Sequence, residues 1–454
     1  MGVIQTLFSL KSYLLFPMLM LVLALIMGAR LLKAVEGALY IGVALVGISM
    51  IASFFLEAAA PVASGVAAAV GKSSAITDVG WPMMAMLVWT MDVIYWIIPV
   101  HIAVNIIMLI FKWTDTINID IWNYWHIAIA SFLVYSATQS IFLVLAADAI
   151  MSVISLKLCD WARPAVAKTI NMKENQCVST ANSLFYMPFA IIINGICERV
   201  PGLNKLSINP GSLEGKWKVM LSPGFIAVPI GMIFALCAGY SAIAAAEFTM
   251  KFSAVFLLLP RVLYFLKEGF VPVANATEAF TRKRIAADRK VYIGVNQLVA
   301  ADHPSIIIST IILIPITVLM AALIPFIRIF PMGDLMNVVS IIVVVAAVCK
   351  GNVFRIVLTG IPIVLLNLTL ASTVAPAYTS AAAGLGYVIP GVSGEFAASF
   401  NGASYINVWL SQVLKGEGWA LAAIPLIAAA IYICYLYYKK TYIKKQAENS
   451  KTII

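Results

Sequence analysis

Residues 305–327 have the sequence SIIISTIILIPITVLMAALIPFI, which contains no charged residue. An α-helix needs about 20 mostly apolar residues to cross roughly 30 Å of hydrocarbon, so this stretch predicts a membrane span. Nine further apolar stretches predict spans as well: 13–29, 37–56, 83–110, 126–155, 224–246, 252–272, 336–349, 353–375 and 417–438. The sequence therefore predicts an all-α polytopic membrane protein with ten spans, or about eleven if a shorter segment also crosses.

The composition of the whole chain supports this class. Hydrophobic residues make up 62% of the 454 residues and charged residues only 11%, whereas soluble domains are about 25% charged. The net charge of +10 comes from basic residues in short connections and at the C-terminus, which is typical of cytoplasmic anchors beside a membrane. We therefore expect membrane lipid around the chain and no nucleic-acid partner. The six scattered cysteines predict neither a disulfide framework nor a metal site, and no motif indicates a cofactor.

The eleventh span would be residues 183–197, a short segment that contains Pro188 and Asn194. With ten spans, three basic connections share the side of the C-terminus: 157–173, 199–218 and 282–290. With eleven spans, residues 157–173 move to the outside, which goes against the positive-inside rule. The same count places Arg30 and Lys33 inside, which agrees with the rule. Charge alone favours ten.

Two long segments fit neither a span nor an ordinary loop. Residues 57–82 and 376–416 are rich in Ala, Gly and Ser and nearly uncharged. Small residues allow close backbone packing, so we expect both segments to be re-entrant or buried. The first contains GVAAAVGKS (65–73), which differs from a P-loop by having five residues between its glycines instead of four. We interpret it as a packing segment.

A weak internal repeat relates the two halves of the chain. IIPV (97–100) recurs 216 residues later as LIPI (313–316), and Asn118 then coincides with Asp334. We therefore predict one domain, residues 1–454, built from two repeats of about 10–222 and 223–440, with a cytoplasmic tail at 439–454. With eleven spans the repeats would be inverted, an arrangement that forms a substrate site at the repeat interface.

The richest polar cluster is DIWNYWH (120–126), which opens a helix that we expect to continue to about residue 155. Five polar residues fall on one side of this helix: Asp120, Tyr124, Ser131, Tyr135 and Thr138. Polar groups are costly against lipid, so this stripe predicts a hydrated cavity or a polar partner. The aromatic residues could instead anchor the chain at the membrane interface, and Asp120 could favour the helix N-terminus. We favour ligand contact, because two tryptophans flank Asn123 as in a sugar-stacking surface.

The candidate substrate contacts in this region are Asp120, Trp122, Asn123, His126, Tyr135 and Gln139. Five more lie just before other predicted spans: Asp78, Trp81, Asn296, His303 and Asp334. A carboxylate among them could accept hydroxyl hydrogen bonds from a polyol, and helix capping is the alternative for Asp78 and Asp334. The three histidines are too dispersed to predict a metal site. Asp148 and Glu247 lie in or beside apolar runs, which keeps an ion-coupled secondary transporter as the alternative function.

Seven motifs occur in the order found in one known family: DVGWP (78–82), NIDIWNYWH (118–126), PGLNKL (201–206), AGY (238–240), YIG (292–294), IFPMGDL (329–335) and GNVFR (351–355). On these motifs the chain resembles the EIIC membrane component of galactitol-type phosphotransferase systems, in the ascorbate–galactitol superfamily, over roughly residues 10–440. The resemblance implies a sugar or polyol permease of a bacterial inner membrane. Its partner would be EIIB, a separate chain whose cysteine is phosphorylated by EIIA and which then phosphorylates the cargo.

The resemblance also implies a homodimer with eleven spans, inverted repeats, a core domain that holds the substrate, a second domain at the dimer contact and an elevator-like movement of the core. Two positions depart from the family. Residues 179–181 are Ser-Thr-Ala where relatives carry Pro-His-Gly, and residues 294–296 are Gly-Val-Asn where they carry Gly-Leu-Asp. The loss of that histidine and that aspartate leaves room for a polyol other than galactitol.

Overall fold

The computed structural model describes residues 12–71, 75–88, 91, 93–170, 172–210, 215–220, 222–284, 289–389, 392 and 394–443. The helices in the first half of these ranges are α1 Ser12–Ile26, α2 Leu31–Ala69, α3 Gly80–Val88, α4 Ile94–Ile110, α5 Ile121–Thr138, α6 Ile141–Ile170, α7 Ala181–Leu184, α8 Met187–Arg199 and α9 Gly215–Met220. Those in the second half are α10 Pro223–Cys237, α11 Ala242–Arg284, α12 Pro304–Leu323, α13 Val338–Ile341, α14 Val343–Val348, α15 Val353–Gly384, α16 Tyr405–Lys415, α17 Gly418–Ala422 and α18 Ile424–Tyr438. The strands are β1 Ile76–Asp78, β2 Thr116–Asn118, β3 Gln176–Val178, β4 Tyr292–Val295, β5 Ile329–Phe330 and β6 Glu395–Ala397.

Long apolar helices dominate the described part of the chain. Six are long and apolar enough to cross a membrane, namely α2, α6, α11, α12, α15 and the stretch Gly418–Tyr442. Three shorter apolar helices accompany them, at Tyr13–Ile26, Trp96–Ile110 and Pro223–Cys237. The predicted class, a nearly all-helical polytopic membrane protein, is therefore confirmed.

Several predicted helices have different boundaries. The helix expected to run from 126 to 155 is two helices, because Gln139 adopts a left-handed conformation (φ 53°) and ends α5 at Thr138. The segment 224–246 is also divided, since Gly239 (φ 81°) lies between α10 and α11. Residues 336–349 form a 3-10 turn and the short helices α13 and α14. Apolar length predicted membrane residence correctly, but it did not predict these breaks.

The two small-residue segments prolong helices. Residues 57–69 are the end of α2, and residues 376–384 are the end of α15 before the chain continues through β6 into α16. Gly65 lies against α10, since a Cβ there would meet the oxygen of Ala238 at 2.8 Å. The packing interpretation of Gly65 is thus confirmed, whereas Lys72 and Ser73 of the same motif lie outside the described residues. This stretch was expected to be re-entrant or buried, and several of its residues are buried, among them Ala59, Val62 and Ala63.

Small residues also bring α2 and α11 together. A Cβ on Gly37 would lie 2.8 Å from the oxygen of Gly269, and one on Gly47 would lie 2.8 Å from Val262 Cγ1. Glycines at such contacts allow two long helices to pack closely along their length. The order of these contacts shows that α2 and α11 are antiparallel, so the start of α2 lies beside the C-terminal half of α11.

The six strands form two three-stranded parallel sheets that the sequence did not predict. Sheet A has the strand order β5-β1-β6, and sheet B has the order β2-β4-β3. In sheet A, Thr77 is opposite Phe330 and Phe396. In sheet B, Ile293 is opposite Ile117 and Gln176. Each sheet therefore takes its central strand from one half of the chain and its two flanking strands from the other half.

The carboxyl edges of the two sheets face each other inside the protein. The strands of sheet B start beside an ion pair of Arg289 with Asp115 (Nη1–Oδ1 3.2 Å), and those of sheet A start beside Arg328 with Glu395 (Nη2–Oε2 2.7 Å). After the strands, Asn182 Nδ2 donates to Asn401 Oδ1 at 2.9 Å, which joins the segment after β3 to the segment after β6. Since strands of a parallel sheet all end at one edge, this contact makes the two edges adjacent.

Candidate functional site

The candidate site is the region between these two edges. We call it the strand-end site and define it by the residues that follow the six strands: 78–82, 118–126, 179–182, 296–297, 334–337 and 398–407. Helices α3, α5, α7 and α16 begin there, so their unpaired backbone N–H groups are available to polar side chains or to a ligand. Eight of the candidate contacts expected from the sequence lie in adjoining parts of this site: Asp78, Trp81, Asp120, Trp122, Asn123, His126, Asn296 and Asp334.

Asp78, at the end of β1, is enclosed by donors from the protein. Its Oδ1 accepts from Gly80 N at 3.1 Å and from Ser399 N at 3.3 Å. Its Oδ2 accepts from Asp334 N at 3.0 Å and from Ser399 Oγ at 2.8 Å. The bond to Gly80 is the capping interaction considered from the sequence, so this carboxylate joins β1, β6 and the turn after β5.

Asp334 has an even larger set of donors. Its Oδ2 accepts from the backbone N–H groups of Phe400 and Asn401, both at 2.9 Å. Its Oδ1 accepts from Trp81 N at 3.2 Å, from Asn401 Nδ2 at 3.2 Å and from Asn337 Nδ2. A buried carboxylate is tolerated when donors of this kind surround it. The two acids at the edge of sheet A therefore hold the backbone together and have little capacity left for a ligand.

Asp120 has the corresponding position at the edge of sheet B. It is fully buried and caps α5, since its Oδ1 accepts from Trp122 N at 3.0 Å. Thr180 Oγ1 donates to its Oδ2 at 2.6 Å, and Asn296 Nδ2 lies 3.2 Å from its Oδ1. Thr180 Oγ1 also accepts from Gln297 N at 2.9 Å. Thr180 and Asn296, the two departures from the resembling family, are thus direct partners of this aspartate.

Aromatic rings from the segments after β1 and β2 meet in the strand-end site. The Trp81 ring lies 6.3 Å from Trp122 and 6.0 Å from Trp125, nearly perpendicular to the first. The Trp125 ring lies 4.9 Å from His126. Trp125 is buried and the other two indoles are half-buried. Since membrane-interface tryptophans are typically exposed to headgroups, this burial favours an internal role for Trp125 over interface anchoring.

Four buried polar atoms in the site have no hydrogen-bond partner in the described part of the chain. These atoms are Asn123 Nδ2, Trp125 Nε1, Gln297 Oε1 and Asn407 Oδ1. Asn123 and Asn407 are held by their other side-chain atom, since Ala181 N donates to Asn123 Oδ1 at 2.8 Å and Asn407 Nδ2 donates to the His126 oxygen at 3.3 Å. A buried polar group without a partner costs about 1–3 kcal/mol. The site therefore offers two donors and two acceptors, all of them uncharged.

Three predicted contacts lie elsewhere. Gln139 is at the other end of α5, whose 18 residues correspond to about 27 Å at 1.5 Å per residue. Its side chain donates to the Tyr135 oxygen at 3.0 Å, so both residues belong to that far end. His303 caps α12 by accepting from Ser305 N at 3.3 Å, and its ring lies beside Gly351. The structure does not bring Tyr135, Gln139 or His303 to the strand-end site.

Tyr124, in the polar stripe of α5, projects from the side of the helix opposite Trp122 and His126. The ring of Tyr124 packs against His101 of α4 at 4.7 Å. Asp148 on α6 is buried, and both of its carboxylate oxygens lack a partner among the described residues. Glu247 is exposed on α11.

The sequence also carries a second motif correspondence between the two halves of the chain. Asp120 and Asn123 have the same D-x-x-N spacing as Asp334 and Asn337, 214 residues further on. The four side chains occupy corresponding places at the two sheet edges. The offset of 216 suggested by the proline motifs instead matched Asn118 with Asp334, which hid this correspondence. Asn182, Asn401 and Ser399 carried no local signal, because their partners are distant in sequence.

In the described part of the chain, no group of three or more His, Cys, Asp or Glu residues is arranged to hold a metal ion. Two of the scattered cysteines do meet, since Cys159 Sγ and Cys177 Sγ are 3.3 Å apart in the protein interior. Sequence spacing gave no indication of this contact, because β3 reaches α6 only through the formation of sheet B.

Comparisons with known proteins agree along nearly the whole chain. Residues 6–391 match the family EIIC-GAT, described as the sugar-specific permease component of the phosphotransferase system (PTS). The chain is 27% identical over 433 residues to the PTS system galactitol-specific EIIC component of Escherichia coli K12, an alignment that covers 95% of this chain and 94% of that protein. It is 26% identical over 390 residues to a putative permease IIC component of the same strain, covering 86% and 89% of the two chains.

Proposed function

The chain belongs to the EIIC-GAT family of sugar-specific PTS permease components, and from this premise we propose that it binds an uncharged polyol in the strand-end site. It carries the polyol across the bacterial inner membrane to a cytoplasmic EIIB protein, which EIIA phosphorylates and which transfers the phosphoryl group to the cargo. Phosphorylation traps the product, because the anion cannot return through a site built for a neutral molecule.

The observation that carries the proposal is the charge of the unpaired groups. Asp78, Asp120 and Asp334 are occupied by protein donors, whereas the atoms without partners belong to Asn, Gln and Trp side chains. A polyol hydroxyl both donates and accepts, so it can pair with amide and indole groups of either kind. The tryptophan faces offer apolar contact to the C–H groups of the carbon chain. An anionic cargo would find no unpaired cation among the described groups of the site.

The distribution of charge supports an orientation in the membrane. Arg289 lies at the start of β4. Lys33 lies in the first turn of α2, and this part of α2 packs on the C-terminal half of α11. The rings of Trp161 and Tyr435 are 5.6 Å apart, which brings the C-terminal end of α18 to the same end of the bundle. By the positive-inside rule we assign this end to the cytoplasm. Neither the ten-span nor the eleven-span count placed all the basic segments on one side. In this orientation the described residues of 157–173, 199–218 and 282–290 share the cytoplasmic side with Arg30 and Lys33.

We further propose that the two halves are inverted repeats. Each sheet is built from one central strand of one half and two flanking strands of the other, and Asn182 bonds Asn401 between the corresponding segments. Such an exchange supports a two-fold relation with the substrate at its centre. The long pair α2 and α11 carries exposed apolar side chains such as Met50 and Ile243. We assign this pair to the domain at the contact of a homodimer, against which the remaining core moves like an elevator.

The function is tested with membranes that contain the protein, purified EIIA and EIIB of the same system, and phosphoenolpyruvate. A panel of galactitol, ribitol, xylitol and sorbitol is assayed for phosphorylation and uptake. We expect one or more polyols to be phosphorylated only when EIIB is present, with uptake unaffected by a protonophore. Uptake that needs no EIIB and collapses with the protonophore would contradict the proposal and favour ion coupling through Asp148.

A further inference from the structure

Helix α4 directs its polar side chains at one residue of the strand-end site. Between Ile97 and Ile110 it carries only two polar side chains, His101 and Asn105, which lie one turn apart and are both buried. Asn105 Oδ1 accepts from Asn118 N at 2.9 Å, and Asn105 Nδ2 donates to the oxygen of Thr116 at 2.8 Å. These bonds fix the backbone at the end of β2.

The second residue, His101, determines the orientation of the Asn118 side chain. His101 Nε2 lies 2.8 Å from Asn118 Nδ2, and His101 Nδ1 lies 2.6 Å from Ser152 Oγ. Asn118 Oδ1 receives the backbone N–H of Asp120 at 3.0 Å. Because a backbone N–H can only donate, this atom of the amide must be the oxygen, and the other must be the NH₂ group. His101 Nε2 therefore accepts, and the proton of the neutral ring is on Nδ1, where it is donated to Ser152.

The orientation of Asn118 in turn fixes two segments of the site. Its Oδ1 also lies 2.8 Å from Ser179 Oγ, so one oxygen joins the end of β3 to the N-cap of α5. Asp120 is that N-cap, and the first turn of α5 carries Trp122 and Asn123. If the amide turned over, its NH₂ group would face the Asp120 N–H, and two donors would oppose each other.

We propose that His101 is a positioning residue for the polyol site, which acts by accepting from Asn118 and so sets the first turn of α5 against the segment after β3. The inference rests on the proposed function, since it assigns the residue a role in substrate affinity. His101 contacts the strand-end site through the Asn118 side chain and the ring of Tyr124, so its contribution is to the geometry of groups that contact the cargo. No part of the phosphoryl transfer depends on it.

The test compares two substitutions of His101 in membranes supplied with EIIA and EIIB. His101→Leu fills the space but cannot accept from Asn118, so we expect the KM for the phosphorylated polyol of the panel to rise about tenfold, with the maximal rate changed less than about twofold. His101→Gln can accept through Oε1 and donate through Nε2, and we expect it to restore the KM to within about threefold of the unsubstituted protein.

Thr317→Val is the matched control. Thr317 lies 216 residues after His101 and is equally buried. Within the described part of the chain its side chain bonds only the Leu313 oxygen of its own helix, at 2.7 Å. We expect its KM to be unchanged. If His101→Leu is not recovered as folded protein, Ser152→Ala provides the second test, since it removes only the acceptor of Nδ1 and should raise the KM about threefold.

Three results would overturn the proposal: a His101→Gln protein as impaired as His101→Leu, a loss of maximal rate without a change in KM, or an equal effect of Thr317→Val. Asn123→Ala separates this failure from that of the binding site. If Asn123→Ala raises the KM and the His101 variants do not, only the positioning role is wrong. If Asn123→Ala has no effect while phosphorylation still needs EIIB, the strand-end site itself is wrongly assigned.

Discussion

The two edges of the strand-end site carry the same D-x-x-N motif but use its asparagine differently. At the edge of sheet A, Asn337 donates to Asp334 of its own motif. At the edge of sheet B, Asn123 accepts from Ala181 N instead, and its Nδ2 has no partner in the described chain. The same spacing therefore closes one edge and leaves a donor open at the other. This difference supports a division of labour in which sheet A supplies rigidity and sheet B contacts the cargo.

The residues at the ends of the two central strands also differ in hydrogen bonding between the edge of sheet A and the edge of sheet B. Asp78 and Asn296 each accept a backbone N–H two residues later, from Gly80 at 3.1 Å and from Leu298 at 2.9 Å. Asp78 is an acceptor only, whereas Asn296 also donates to Asp120. The edge of sheet A thus has two carboxylates surrounded by backbone donors, and the edge of sheet B has one carboxylate with a neutral neighbour.

The largest effect is expected when the edge of sheet A is broken. Asp334→Ala leaves several buried donors without an acceptor, among them Phe400 N and Asn401 N. Each unsatisfied group costs about 1–3 kcal/mol, so we expect the folded protein to lose about 3 kcal/mol or more. The measurement is the yield from membranes and the midpoint of thermal unfolding in detergent.

Glu395→Gln is the control for that loss, because its ion pair with Arg328 is partly exposed. Exposed pairs contribute about 0–1 kcal/mol, so the midpoint should hardly change. Equal midpoints for the two variants would show that the acids of sheet A do not carry the rigidity assigned to them.

An intermediate effect is expected from the asparagines of the two motifs. Asn123→Ala removes the open donor, so we expect the KM for the polyol to rise about tenfold, equivalent to about 1.4 kcal/mol. It also leaves the buried Ala181 N–H without its acceptor, so the unfolding midpoint should fall as well. Asn337→Ala removes a donor from Asp334 and touches no unpaired group of the site, so it should lower the midpoint and leave the KM unchanged. The two variants are compared by KM, and an equal rise of the KM in both would abolish the distinction between the edges.

The sequence predicted the parts of this architecture that depend on local composition. A run such as 305–327 identifies a span by itself, and the Asp–Trp motifs predicted Asp78, Asp120 and Trp122 as site residues, which the fold places at the two sheet edges. The breaks at Gln139 and Gly239 depend on single backbone conformations, which apolar length does not reveal. Strands of two to four residues are too short for an alternating pattern to be recognised.

The remaining site residues depend on contacts between distant segments. Asn182 and Asn401 are 219 residues apart and become partners only when both sheets have formed. Gln297 and Asn407 became candidates because their buried oxygens lack partners, which is a property of the folded chain. Helical periodicity placed Asp120 and Tyr124 on one side of α5, but it could not tell which side of the helix faces the other half of the protein.

The smallest effect, and the most selective, is expected from making the two edges alike with Asn296→Asp. The new carboxylate would lie where Asn296 Nδ2 now approaches both oxygens of Asp120, at 3.2 and 3.3 Å. When ionised it cannot donate, and two like charges at that distance repel each other. When protonated it can donate through its hydroxyl, so we expect the KM of the variant to be about threefold above that of the parent at pH 8 and to approach it at pH 6. The control is Asn296→Ala, which has no titrating group at this position. The ratio of its KM to that of the parent should be the same at pH 6 and pH 8. A KM ratio between Asn296→Asp and the parent that is constant from pH 6 to 8 would mean that the neutral side chain at the end of β4 is not what distinguishes the edge of sheet B.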